Sequence, residues 1–344
     1  MKTNFFPLLF AIIASVGTLS AEGIKIGELY YILDILNMTA KVVKTPNEYQ
    51  EGVIALGASD YSGDIIIPSH VIYEENTYEV IGIKFGAFGG CLQLHSLKIP
   101  QTVCSIEKFA IIGNPSLDTI IVDARNPKYD SRDRCNSIIE TSTNTLICGS
   151  NGTIIPKSIS TIGSWSFIWQ TFEYLNIPEG VKLIEDHTLQ RLPNIKSITF
   201  PNSLESIDED VLVDCPSLKS VTIGPNVIYT TDMFLSDALS LEEVTCLAIT
   251  PPDCWTSAFT NIPEEAILYV PKESIELYKE ANGWKKFKNI YAVEELPTTL
   301  PEINISDDAS FTINRTQPYK ILSNGQMIIK KGDYTYSIIG IKVQ

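Results

Sequence analysis

The sequence predicts a mainly β solenoid, and three observations predict it. A unit of about 23 residues repeats from residue 65 to residue 250, each unit ends in a short apolar strand, and a proline or a substitute follows that strand. The strands read Ile65–Ile67 before Pro68, Leu97–Ile99 before Pro100, Thr153–Ile155 before Pro156, Leu175–Ile177 before Pro178 and Ile198–Phe200 before Pro201. Ile120–Val122 and Val221–Ile223 keep the strand, with Asp123 and Gly224 in the proline's place. The anchor spacings are 32, 23, 33, 22, 23 and 23, so two intervals carry insertions of about ten residues. A fixed period of this length means that each unit buries its apolar face only against its neighbours.

Taken in order, the chain opens with Lys2, an apolar run from Phe5 to Val16 and small residues at Gly17, Thr18, Ser20 and Ala21. That pattern predicts a secretory signal peptide over residues 1–21 with cleavage near Ala21, since an apolar run of about 12 residues is too short to span a bilayer. No cysteine near the site suggests a lipoprotein anchor, and no later stretch has the length of a transmembrane segment. Cleavage leaves 323 of the 344 residues. The net charge of −15 lacks the clustered Lys and Arg that phosphate binding requires, so nucleic acid is not an expected partner. Seven cysteines are too few for a disulfide scaffold, and their odd number leaves at least one thiol unpaired. Cys91 and Cys215 each precede an anchor by nine residues and read as buried small apolar residues. Cys135 and Cys148 flank a predicted hairpin and could lie close enough to pair.

Within one unit, alternation sends Leu175 and Ile177 to the core and Asn176 to solvent. An apolar pair earlier in each unit closes the back of the core, as at Ala87-Phe88, Ala110-Ile111, Ser166-Phe167, Thr188-Leu189, Val211-Leu212 and Phe234-Leu235. A third column makes a second strand-like stripe, with Val80/Ile83, Val103/Ile106, Ile159/Ile162, Val181/Ile184 and Leu204/Ile207. Each unit is therefore expected to be a triangular coil. The outward strand residues form a ladder of Ile66, Lys98, Ile121, Ile154, Asn176, Thr199, Thr222 and Thr245. Its threonines suit cross-strand pairing, and its apolar first half and polar second half could instead line a binding face. The long intervals hold β-rich runs, residues 71–80 about a Glu-Asn turn and residues 129–148 about Thr141–Asn144, expected to project as hairpins from one edge.

These features resemble the BspA-like leucine-rich repeats of exported Bacteroidales proteins from gut and oral bacteria. The resemblance rests on the Ile-Pro-x-x-Val-x-x-Ile-x-x-x-Ala-Phe pattern ending at Ala87-Phe88, on the insertion from Tyr129 to Thr141, and on an exit module. That module runs through Pro251-Pro252, Ala258-Phe259, Leu268–Pro271, Tyr278 and Trp284–Phe287. The later pairs Thr188-Leu189 and Val211-Leu212 depart from the small-aromatic pattern and imply looser packing. The resemblance implies a leucine-rich-repeat solenoid of about 7–8 coils with a parallel sheet on one side. It also implies an N-terminal cap over 22–64, coils over 65–250, a capping module over 251–293 with a short helix near 273–281, and no shared catalytic centre. Residues 294–344 read as a linker, Pro297–Pro301, and a small β-meander with turns at Asn324-Gly325 and Gly332-Asp333. The meander is similar to C-terminal segments that direct surface delivery, and an ordinary cap fits it equally.

A search for chemistry finds none. His70, His95 and His187 fall in different repeats, and no nucleophile, metal or phosphate-binding motif is present. Asp208–Asp210 and Asp307-Asp308 read as solvated turns, since a calcium cage needs six to eight oxygens. His187 shares a turn column with Gly86, Phe109, Trp165, Asp210 and Met233. No cofactor and no metal are expected. An aromatic cluster holds Trp165, Trp169 and Tyr174 in variable columns, where flat rings could meet a partner. With Asn176 and Thr199 they are the candidate partner-binding residues, and edge packing against residues 129–148 is the alternative for the rings. The expected function is a non-enzymatic, exported, monomeric binding or adhesion protein, at the surface, secreted or periplasmic, engaging a protein or glycan. A structural envelope component is the alternative, and a glycan-active hydrolase would need carboxylates along a ladder that carries Asn and Thr.

Overall fold

The computed structural model describes residues 19–46 and 59–293 and the backbone of three strands between 319 and 337. The expected signal peptide lies outside the described residues except Leu19–Ala21, and so do the linker and the two turns expected in the meander. The chain divides into two units, residues 1–291 and 292–344.

The first unit opens with an antiparallel cap of β1 (Leu19–Ile26), β2 (Leu29–Asp34) and β3 (Thr39–Val43). Coils follow, with β4 (Ser62–Ile66), β5 (His70–Tyr73), β6 (Asn76–Ile83), β7 (Gln93–Ile99), β8 (Ser105–Ile106) and β9 (Thr119–Val122). The long interval supplies β10 (Tyr129–Asp130), β11 (Ile138–Glu140) and β12 (Thr145–Cys148). Then come β13 (Thr161–Ile162), β14 (Leu183–Ile184), β15 (Ser197–Thr199), β16 (Ser206–Ile207), β17 (Ser220–Ile223), β18 (Tyr229–Thr230) and β19 (Glu243–Cys246). The exit module holds β20 (Ile267–Val270), the helix α1 (Ile275–Glu280), within the span expected for it, and β21 (Asn289–Ala292). In the second unit β22 (Tyr319–Ser323), β23 (Gln326–Lys331) and β24 (Tyr334–Ser337) form the expected antiparallel meander.

The fold is a β-solenoid of about nine coils. Nine corner residues mark them, Ile67, Ile99, Val122, Ile155, Ile177, Phe200, Ile223, Cys246 and Val270, each no more than 5% exposed. The number exceeds the 7–8 read from the repeats because β20 of the exit module completes a coil of its own. The anchor column forms a sheet in two blocks, β4-β7-β9 and β15-β17-β19-β20-β21, parallel from β4 to β9 and from β15 to β20. In the second block Thr199, Thr222 and Thr245 stand in register, the cross-strand ladder expected from the sequence. The stripe at Ile162, Ile184 and Ile207 is itself a parallel sheet, β12-β13-β14-β16-β18. The solenoid therefore carries pairing on two walls.

A third wall is built from turns. Most coils place two residues in the left-handed region four apart, as at Gly86 and Gly90, Trp165 and Trp169, His187 and Arg191, and Asp210 and Asp214, with φ between 57° and 66°. Between them the apolar pair points inward, so Phe88, Phe167, Leu189 and Leu212 are fully buried. A left-handed conformation costs a non-glycine residue roughly 1–2 kcal/mol. Backbone bonds between successive turns offset it, since Trp165, Phe167 and Trp169 donate N–H to Asp186, Thr188 and Gln190 at 3.1, 3.0 and 3.3 Å. The next turn repeats the pattern through His187, Leu189 and Arg191. Thr188 and Leu189 are each 0% exposed, so the pairs that depart from the small-aromatic pattern are packed as tightly as the rest.

The insertion of residues 129–148 does not project from an edge. It joins the wall, with β11-β12 antiparallel and β12 parallel to β13. Alternation explains why. Ile138 and its partner Cys148 face one hydrophobic cluster, which runs from Leu29, while Ile139 and its partner Leu146 face a second, which runs to Phe287. The hairpin is thus a plate between two cores, and a strand apolar on both faces is stable only when both are covered. Asn126 starts it, its Oδ1 accepting the N–H groups of Lys128 and Tyr129 at 3.0 and 2.9 Å. Asp130, Arg132, Asn144 and Thr141 lock its turn by hydrogen bonds of 2.6–2.8 Å. All seven cysteines are free, and Cys135 and Cys148 belong to opposite cores.

Candidate binding groove

The insertion has a consequence on the turn wall. Its coil contributes strands but no pair of left-handed residues four apart, and in that layer the backbone ladder is reduced to the Gly149 N–H donating to the Ser166 carbonyl at 2.8 Å. Phe88 and Gly90 donate to Ala110 and Ile112 at 2.8 Å, yet among the described residues no rung joins the 109–113 turn to the 165–169 turn. A groove of about 430 Å³ opens in that layer. Phe109 and Trp165 meet across it edge to face, with ring centres 5.0 Å apart. Tyr129, Ile111 and Cys148 of the hairpin region supply apolar surface. Lys108, Lys128, Glu107, Glu140 and Glu185 bring both signs of charge to the same groove.

The rings continue as a column along the wall, from Phe85 to Phe109 at 5.6 Å and from Trp165 to His187 at 3.9 Å. His187 Nε2 lies 3.3 Å from Asp210 and its Nδ1 3.6 Å from Asp186. Ser164 donates its N–H to Glu185 at 2.9 Å, and its hydroxyl, with one proton to give, lies 3.0 Å from Glu185 and 2.5 Å from Asp186. Glu107 accepts the Phe85 N–H at 3.0 Å and pairs with Lys84 at 2.7 Å. Burial opposes ionisation of Glu107, but Lys84 and that N–H outweigh it and hold the carboxyl below its ordinary range. Asp208 and Asp210 are raised, first by burial; His187 only partly offsets this at Asp210. Among the described residues no group of three or more His, Cys, Asp or Glu is placed to hold a metal ion.

The five sequence candidates separate. Trp165 lines the groove. Trp169 packs against Gly113, where a Cβ would stand 2.7 Å from its ring, and the Arg191 guanidinium covers it at 5.3 Å. Tyr174 is 66% exposed, and Asn176 is exposed between the buried Leu175 and Ile177. Thr199 sits in β15 opposite Thr222. Lys108, Phe109, Lys128, Tyr129, Glu140 and Glu185 are groove residues that sequence reasoning missed as a set. The signal was the 33-residue interval itself, which supplies one wall strand too many and one turn too few.

A profile of the BspA-type leucine-rich-repeat region matches residues 67–138 and 147–262 in six copies, more than half of the chain. The chain belongs to that family. No match is found among curated proteins. Solved structures similar to this BspA-type chain include the pneumococcal vaccine antigen PcpA, at 15% identity and a TM-score of 0.44, covering 79% of this chain and 98% of that one. A leucine-rich cell surface protein from Faecalibacterium prausnitzii matches at 14% identity and a TM-score of 0.35, over 80% and 95% of the two chains. A leucine-rich repeat protein from Bacteroides ovatus matches at 16% and 0.31, over 78% and 88%. In this BspA-type chain no helix among the described residues is long and apolar enough to cross a membrane.

Proposed function

We propose that the chain is an exported, monomeric, non-enzymatic binding or adhesion protein that seats a protein segment in the groove at the missing turn. The observation that carries the reading is the juxtaposition of the Phe109–Trp165 ring pair with lysines and carboxylates in one concave layer. Aromatic faces supply contact area at small entropic cost, and hot spots at interfaces centre on such rings. A rim with both charge signs suits a polypeptide with mixed charges better than a uniformly charged ligand. The family membership supports a scaffold role, and the segment from Lys2 to Ala21 supports export.

The test is a screen of the mature protein against immobilised host matrix proteins, repeated with Trp165→Ala and Lys128→Glu. Both variants should weaken capture tenfold or more, about 1.4 kcal/mol and upward. Lys128 is a partly exposed rim residue, so a thermal midpoint near that of the parent chain is expected for Lys128→Glu, and normal capture by it together with Trp165→Ala would place the site elsewhere.

A further inference from the structure

A second cavity, of about 490 Å³, opens beside β18 where the last repeats meet the exit module. Two aromatic side chains flank it, Trp255 at 67% exposure and Tyr229 at 39%. A parallel bridge between Tyr229 and Asp253 sets a carboxylate next to the tyrosine. Asn282 and Thr256 add an amide and a hydroxyl. The Thr231 residue is also in the lining, and its hydroxyl is buried without a hydrogen bond to any described residue. Among the described residues no lysine, arginine or histidine lines this cavity, in contrast to the groove at the missing turn.

The walls are held from behind. Gly283 adopts φ 71°, and a Cβ there would collide with the Cys254 sulfur, so only glycine lets the Asn282 segment approach so closely. The Cys254 thiol donates to the Asn282 carbonyl at 2.9 Å, and the Trp284 Nε1–H donates to the Pro252 carbonyl at 2.8 Å. The exposed rings are thus mounted on a fixed backbone.

We propose that this cavity is a binding subsite for a neutral pyranose sugar, independent of the groove at the missing turn. A pyranose offers an apolar C–H face that stacks on an exposed aromatic ring, and hydroxyls that both donate and accept. Asp253, Asn282 and Thr256 answer those hydroxyls. An apolar peptide side chain would desolvate the same groups without matching them. An anionic sugar meets Asp253, a net charge of −15 and no local cation.

Titration of the purified chain with cellohexaose, mannohexaose and xylohexaose, followed by tryptophan fluorescence and calorimetry, tests the assignment. At least one should bind at millimolar concentration or below, with a change in indole emission. Trp255→Ala should weaken it tenfold or more, Trp255→Phe less, and Asp253→Asn measurably, while Trp165→Ala leaves it unchanged. Trp255 is exposed, so an intact thermal midpoint is expected for its variants, and Asp253→Asn decides the matter should Trp255→Ala lose stability. Absence of binding by all three sugars up to about 10 mM overturns the proposal, as does undiminished binding by folded Trp255→Ala. Loss of Trp165-dependent protein capture leaves this result untouched, so the two readings fail separately.

Discussion

At the residue scale the decisive variable is which side of the coil a side chain faces, and neighbours can differ completely. Ile177 is 5% exposed and Asn176 is exposed. Ile177→Asp places a carboxylate between two coils and should cost several kcal/mol, whereas Asn176→Asp should cost well under 1 kcal/mol. Comparable urea midpoints would show the register to be wrong. Backbone conformation matters as much at the turns. Asp214 is well exposed, but its φ is 58° and its pairing with Arg191 is a 3.6 Å surface contact. Asp214→Val should therefore destabilise by about 1–2 kcal/mol through a β-branched residue in the left-handed region, and Asp214→Gly should be neutral or stabilising. Equal stability of the two variants would refute the argument. The left-handed pairs were not legible in the sequence, because glycine marks them only in the early coils, at Gly86, Gly90 and Gly113. Later coils fill the same positions with Trp, His, Arg and Asp, held by tertiary backbone bonds that no local preference reveals.

At the element scale the hairpin of β11 and β12 separates two cores. Ile138→Ala and Ile139→Ala each delete a fully buried side chain and should each cost about 2–5 kcal/mol. Their effects should be spatially distinct under hydrogen exchange. Ile138→Ala should speed exchange first in β6 and β7, and Ile139→Ala first in β13 and β14. Uniform loss of protection from either variant would mean the cores are one cooperative unit. Thiol chemistry reads the same packing. Burial pushes Cys91, Cys148 and Cys215 up to about 12, so at pH 8 they stay protonated and poorly nucleophilic. Native alkylation at pH 8 should give one adduct, at the exposed Cys104, and prompt labelling of Cys148 would show that the hairpin opens. The β character of both insertions was legible from their composition. Their destination was not, because whether a two-faced strand projects or is buried depends on what covers its second face. The strand at Leu175–Ile177 shows a related limit. Its burial pattern was read correctly, yet neither it nor the Thr153–Ile155 run is a strand, and beside β9 Ser131 Oγ accepts the Val122 N–H at 2.9 Å in place of a strand partner.

At the scale of the whole first unit, the period of 23 organises polar contacts as well as the core. Lys182–Glu205, Lys219–Glu242 and Lys196–Glu173 join adjacent coils at 3.0, 2.7 and 2.5 Å. These pairs are roughly half exposed or more, so each is worth between 0 and 1 kcal/mol, and 1 M salt should move the thermal midpoint only slightly. Stability resides in the stacked corners, and a large salt effect would contradict that. The solenoid and its corners were legible because one periodicity controls both burial and sequence. The groove was not, because it arises where that periodicity is broken and two non-consecutive turns come face to face. Hydrogen–deuterium exchange of the chain bound to whichever matrix protein it captures tests the central claim most directly. The account predicts new protection in residues 106–112, 128–129, 140–148 and 163–165, the two lips and floor of the groove. Protection confined to the outward ladder at Asn176, Thr199 and Thr222, with the groove exchanging as in the free chain, would contradict it.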